Sequence, residues 1–150
     1  MWDYPRPPAV LTSSSLVVVQ FDGIIARTSS AIRVHETSHP PTWYLPREAF
    51  GPDVLREAAG SSWCEFKGQA SYLDIVSPTG RVADRAAWTY PAPSRGYEAI
   101  TGHVALYAAA MDSVTVDGVD VEPQPGGFYG GWVTPDVVGP FKGGPGSQGW

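Results

Sequence analysis

Apolar residues along this chain fall into short runs bounded by turn formers, the pattern of strands rather than of long helices. Residues 16–21 (LVVVQF) and 24–27 (IIAR) flank Asp22-Gly23. Asp-Gly between β-formers signals a type I′ hairpin, because both turn positions need positive φ. The same arrangement recurs where Val114-Thr115-Val116 and Val119-Asp120-Val121 flank Asp117-Gly118. Further strands are predicted near 31–36, 42–46, 63–67, 70–76, 86–90 and 103–107. One segment departs from this grammar. Pro52 suits a first helical position, the following DVLREAA holds good helix formers and Gly60 suits a C-terminal cap, which predicts one short helix of about two turns.

Composition agrees with a β-rich class. Seventeen Gly and 15 Pro multiply turns, and 150 residues with 43% hydrophobic content suffice for one domain without disulfides or a metal. A single all-β domain over residues 1–150 is expected, with its core at about 14–122. From residue 123 onward Gly and Pro mix with Phe128, Tyr129, Trp132, Phe141 and Trp150. That is too aromatic for a disordered tail, so an irregular C-terminal arm is expected, its rings docking on the domain or on a second copy of the chain.

The net charge of −5 argues against a nucleic-acid partner, which would need Lys and Arg to neutralise phosphates. Cys64 stands alone, so no intrachain disulfide can form and a reducing compartment fits. The opening Trp2–Pro8 run has neither a basic n-region nor an apolar stretch long enough to span a bilayer, so a cytoplasmic protein with no membrane partner is expected. Arginine supplies eight of the ten basic residues, a bias expected of a GC-rich genome.

Four runs carry a resemblance to a known family: residues 33–48 (RVHETSHPPTWYLPRE), 63–75 (WCEFKGQASYLDI), 86–93 (AAWTYPAP) and 100–107 (ITGHVALY). In this order they resemble the bacterial family filed as domain of unknown function 427. The WDYPRPP opening and the Gly-rich ending are similar to an actinobacterial subgroup of it. The resemblance implies an antiparallel β-tent-like fold, two sheets meeting at an angle, and implies no established activity. The shared positions are Glu36, Pro41, Tyr44 and Pro46; Cys64, Lys67, Gly68, Ala70 and Tyr72; Ala87, Trp88, Tyr90 and Pro91; and Gly102, His103 and Tyr107. His35 stands where the family pattern has an apolar residue.

Several motifs invite chemistry. His35-Glu36-Thr37-Ser38-His39 matches H-E-x-x-H, but zinc would require a helix to bring residues i and i+4 together. The preceding Ala31–Val34 alternates like a strand and Pro40-Pro41 disfavours helical geometry at His39. In extended chain the two imidazoles stand about 13 Å apart, too far to share a metal, and no cofactor is expected. Nucleotidyl transfer, a label sometimes attached to the family, needs paired acids for divalent metal; Asp74 offers one. Gly126–Trp132 (GGFYGGW) lacks the Lys-Ser/Thr and the helix of a P-loop.

Cys64, with Lys67 lowering its pKa and Glu36 nearby, is the candidate catalytic set. On a straight strand Cys64 and Lys67 point to opposite faces and meet only if the chain turns at Lys67-Gly68. The plainer reading makes Cys64 a small buried residue and Lys67 a solvated charge. Trp43, Tyr44, Trp63, Tyr72, Trp88, Tyr90 and Tyr107 lie on or beside predicted strands, enough rings to line a pocket. The expected function is therefore small-molecule binding, with Tyr44, Tyr72, Trp88 and Tyr90 as ligand-binding candidates. An enzyme of undefined reaction extends that reading. The alternative is an interaction module that pairs through the C-terminal arm.

Overall fold

The computed structural model describes residues 9–35, 40–64, 67–124 and 130–134, with residues 62–64 described at the backbone. Its strands are β1 (Ala9–Thr12), β2 (Val17–Gln20), β3 (Ile24–Thr28), β4 (Ile32–His35), β5 (Thr42–Pro46), β6 (Leu55–Cys64), β7 (Gly68–Val76), β8 (Val82–Thr89), β9 (His103–Leu106), β10 (Ser113–Val116), β11 (Val119–Asp120), β12 (Glu122–Pro123) and β13 (Trp132–Val133). Seven form a sheet in the order β1-β4-β5-β9-β8-β7-β6, four a second in the order β11-β10-β2-β3, and β12 pairs with β13. Every pairing is antiparallel. The fold is all-β, as the turn chemistry predicts.

The Asp117-Gly118 turn is a two-residue type I′ connection, with φ of 51° and 80° and Val116 opposite Val119. Asp22-Gly23 also turns with positive φ, but Gln20 pairs with Ile24 and the register shifts beyond it. The loop is therefore three residues, and Phe21 uses the extra position to bury its ring, leaving it 2% exposed.

The helix expected after Pro52 is absent: Leu55–Cys64 is strand β6. Pro52 and Asp53 instead make a turn, with Asp53 at φ 61°. Helix propensity differs among these residues by only about 0.7 kcal/mol each. Pairing with β7 along Leu55↔Ile75 and Arg56↔Asp74 outweighs it.

Alternation along the strands of the large sheet separates two cores. Trp43, Leu45, Leu73, Ile75, Ala87, Val104 and Leu106 face the small sheet, where they meet Val17, Val19, Ile25 and Val114. Their neighbours Tyr44, Ala70, Trp88 and Ala105 point the other way and pack with Ile32, Val34, Tyr90, Tyr97 and Ile100. Trp132, from the C-terminal arm, closes the first core. It is 1% exposed, stacks on Trp43 at 5.8 Å, and its ring N–H donates to the Leu106 carbonyl at 3.3 Å. No helix among the described residues is long and apolar enough to cross a membrane.

Candidate functional site

Strand β7 is bracketed by two irregularities. On one side Glu57 pairs with Leu73 and Ser61 with Ser71, so Ala58, Ala59 and Gly60 of β6 stand opposite Tyr72 alone. On the other, Leu73 pairs with Ala87 and Ile75 with Ala83, so Asp84, Arg85 and Ala86 of β8 stand opposite Asp74 alone. Bulges bend a strand and re-aim side chains, and both of these do so beside one tyrosine.

Arg85 is held at φ 52°, a left-handed conformation that costs an ordinary residue about 1–2 kcal/mol. Three other non-glycine residues with positive φ are Asp22, Asp53 and Asp117, a type that tolerates it in turns. Arg85 is held by tertiary contacts instead. Its backbone N–H donates to Asp74 Oδ1 at 2.8 Å, and Asp74 Oδ2 accepts from Arg56 at 3.2 Å. The Arg85 backbone bond, seconded by the Arg56 guanidinium, keeps the Asp74 carboxyl below the usual carboxylate range.

The consequence is the position of the Arg85 guanidinium, whose carbon lies 4.5 Å from the centre of the Tyr72 ring. Across β7 it reaches Gly60: a Cβ there would stand 2.8 Å from a guanidinium nitrogen. Gly60, at φ 103°, is thus both the residue the bulge requires and the one that leaves room for the cation.

Tyr72 and Arg85 line a pocket of about 500 Å³ with Asp84, Ala86, Tyr107, Ala108, Ala109, Ala110, Pro123, Gln124, Gly130 and Gly131. Tyr107 arrives as β9 ends; its N–H bonds the Ala86 carbonyl, and the 3-10 turn Ala108–Ala110 follows. Burial, then the neighbouring Tyr72, pushes the Tyr107 phenol above its ordinary range. Gln124 is 2% exposed and its side-chain oxygen accepts from the Gly131 N–H, which ties the β12–β13 segment over the site.

The sequence candidates divide. Tyr72 lines the pocket. Trp88, opposite Tyr72 in register, supports it: its ring centre is 4.8 Å from that of Tyr107, and a Cβ on Gly130 would collide with its six-membered ring. Tyr44 and Tyr90 are 1% and 5% exposed, pack together at 6.3 Å, and belong to the core away from the pocket lining. Lys67 is 5% exposed rather than solvated, because the chain turns there and lays its ammonium 5.9 Å from the Tyr90 ring centre. Cys64 pairs with Gly68 at the end of that hairpin. Glu36 lies outside the described residues, as do Thr37, Ser38 and His39; His35 closes an extended strand rather than opening a helix.

Arg85, Asp84 and Gln124 are pocket residues that the sequence reading does not single out, and no local signal marks them. Tyr107 is visible there as one ring among seven and as a position shared with the family, without a role. Bulges arise from pairing between strands distant in sequence, so the period of one strand cannot announce them.

Fold and site together define an all-β domain with a mixed aromatic, apolar and cationic pocket beside a strand whose two neighbours are both bulged. The chain belongs to the family described as Domain of unknown function (DUF427), whose model matches residues 9–117. No curated protein matches it. The matched span includes every pocket residue from Tyr72 to Ala110, while Pro123, Gln124, Gly130 and Gly131 fall outside it.

Proposed function

We propose that this domain binds a small molecule in the pocket at the β7–β8 bulge. The observation that carries the reading is Arg85, kept at a left-handed backbone position with its guanidinium over Tyr72 in a cavity of about 500 Å³. Unfavourable backbone conformations tend to persist where a side chain must be held for function, and small-molecule sites combine apolar lining with a few placed polar groups. Arg85, Tyr107 and Asp84 are those groups, and Ala108–Ala110 and Pro123 offer apolar surface. Tyr72 and Trp88 act as ring platform and support, whereas Tyr44 and Tyr90 brace the sheet behind them. Burial of Trp132 within its own chain weighs against the alternative of a module that presents this part of the arm to a partner. The single cysteine supports a reducing, cytoplasmic location.

A fragment screen followed by two-dimensional NMR tests the site. Binding fragments are expected to move the resonances of Tyr72, Arg85, Tyr107 and Ala108–Ala110 together. Shifts confined to other surfaces, or no binder from a broad fragment set, would overturn the reading.

A further inference from the structure

We propose that the ligand is an organic monoanion, a carboxylate on a flat or aliphatic body, clamped by Arg85; this rests on the pocket being the ligand site. Arg85 is the one cationic side chain among the described pocket residues, and its guanidinium makes no ion pair among them. The Tyr72 ring occupies part of its surface, and a guanidinium over an aromatic ring keeps N–H groups for a bidentate bond to a carboxylate.

The charge count selects a single negative charge. Among the described residues one guanidinium shares the pocket with one carboxylate, Asp84, in a chain of net charge −5. Among the described residues a triphosphate would meet no second cation in the pocket and no metal-holding group of acids, so repulsion would exceed what one arginine returns. The Tyr107 phenol, neutral at ordinary pH, adds no negative charge to the same lining. The methyl groups of Ala108–Ala110 and the ring of Pro123 match an uncharged body behind the carboxylate. Asp74 pins the Arg85 backbone, and the Tyr72 ring under the guanidinium limits where the side chain goes, which lowers the freedom lost on binding.

The experiment is an NMR titration of the full chain with benzoate, its neutral isostere benzamide and inorganic phosphate, repeated on Arg85→Asn. Asparagine tolerates the left-handed backbone, so the variant removes the guanidinium without breaking the bulge. Benzoate is expected to move the Tyr72, Tyr107 and Ala108–Ala110 resonances and to bind about tenfold or more tighter than benzamide. It should lose about the same factor in Arg85→Asn, the scale of a charge-assisted hydrogen bond. Equal binding of benzoate and benzamide, or benzoate binding unchanged by the substitution, would overturn the clamp and leave the pocket as a site for neutral ligands. Tighter binding of phosphate than of benzoate would overturn the carboxylate class. If no probe moves these resonances while fragments do, the anion proposal falls alone; if neither does, the binding site falls with it.

Discussion

Asp74 holds Arg85 by the backbone rather than by the side chain: Oδ1 accepts the Arg85 N–H at 2.8 Å, while Oδ2 faces Arg56 at 3.2 Å. A carboxylate thereby fixes the backbone turn that points a cation into the pocket, and leaves that cation's own N–H groups for other work. The arrangement joins β6, β7 and β8 at the point where two bulges meet.

Asp74→Ala is expected to release the bulge, lowering the melting temperature and broadening the Arg85 and Tyr72 resonances. Asp74→Asn keeps an acceptor and should do less harm. The pH dependence follows from the lowered carboxyl. Its folded value lies below its unfolded one, so the stabilisation is complete above the ordinary carboxylate range and is lost as pH falls through the lower folded value. A stability profile in acid that is unchanged by Asp74→Asn would contradict this linkage.

Gly60→Ala tests the space left for the guanidinium. The added Cβ would stand 2.8 Å from an Arg85 nitrogen, on a backbone at φ 103° that alanine disfavours. The guanidinium should leave the Tyr72 ring, and the protein should lose about 1 kcal/mol or more. Urea unfolding measures the loss, and the Tyr72 ring resonances report the movement; the unmodified ring shifts in a folded variant would count against the contact.

Trp132→Ala removes a 1% exposed ring that stacks on Trp43 at 13° between planes. A loss of about 3–5 kcal/mol is expected from denaturant midpoints, the usual cost of deleting a large buried aromatic. A loss comparable to that of a surface substitution, below about 0.5 kcal/mol, would mean that this part of the arm is dispensable to the core.

His35, 8% exposed at the end of β4, has its pKa pushed below the ordinary 6.5, first by burial and then by Arg33. The unfolded chain takes up the proton first as pH falls, so stability at His35 is full above pH 6.5 and declines below it, through the lower folded value. His35→Val, which removes the titrating ring, should flatten the decline below pH 6.5 in equilibrium unfolding. A slope that survives the substitution would assign the protonation to another group.

Much of the fold was legible because turns are local. Asp117-Gly118 carries its φ preference in two residues, and the observed turn follows it; Asp22-Gly23 turns as well, but burial of Phe21 decides its length. The DVLREAA segment misleads because propensity is weak beside the ladder it forms with β7. Among the candidate site residues, Tyr72 lines the pocket and Trp88 stands beside it as its cross-strand neighbour. Tyr44 and Tyr90 carry the same aromatic signal but serve the core, since a ring's composition is silent about which side of a strand meets solvent.

The sequence by itself determined an antiparallel all-β domain with two Asp-Gly hairpins, because short-range alternation and positive-φ turns are written in neighbouring residues. Only the tertiary structure decided that Leu55–Cys64 is a strand, that Lys67 is buried, and that Arg85 turns left-handed over Tyr72. Each of these depends on partners brought together by strand pairing, and the register between distant strands is a property of the assembled sheet.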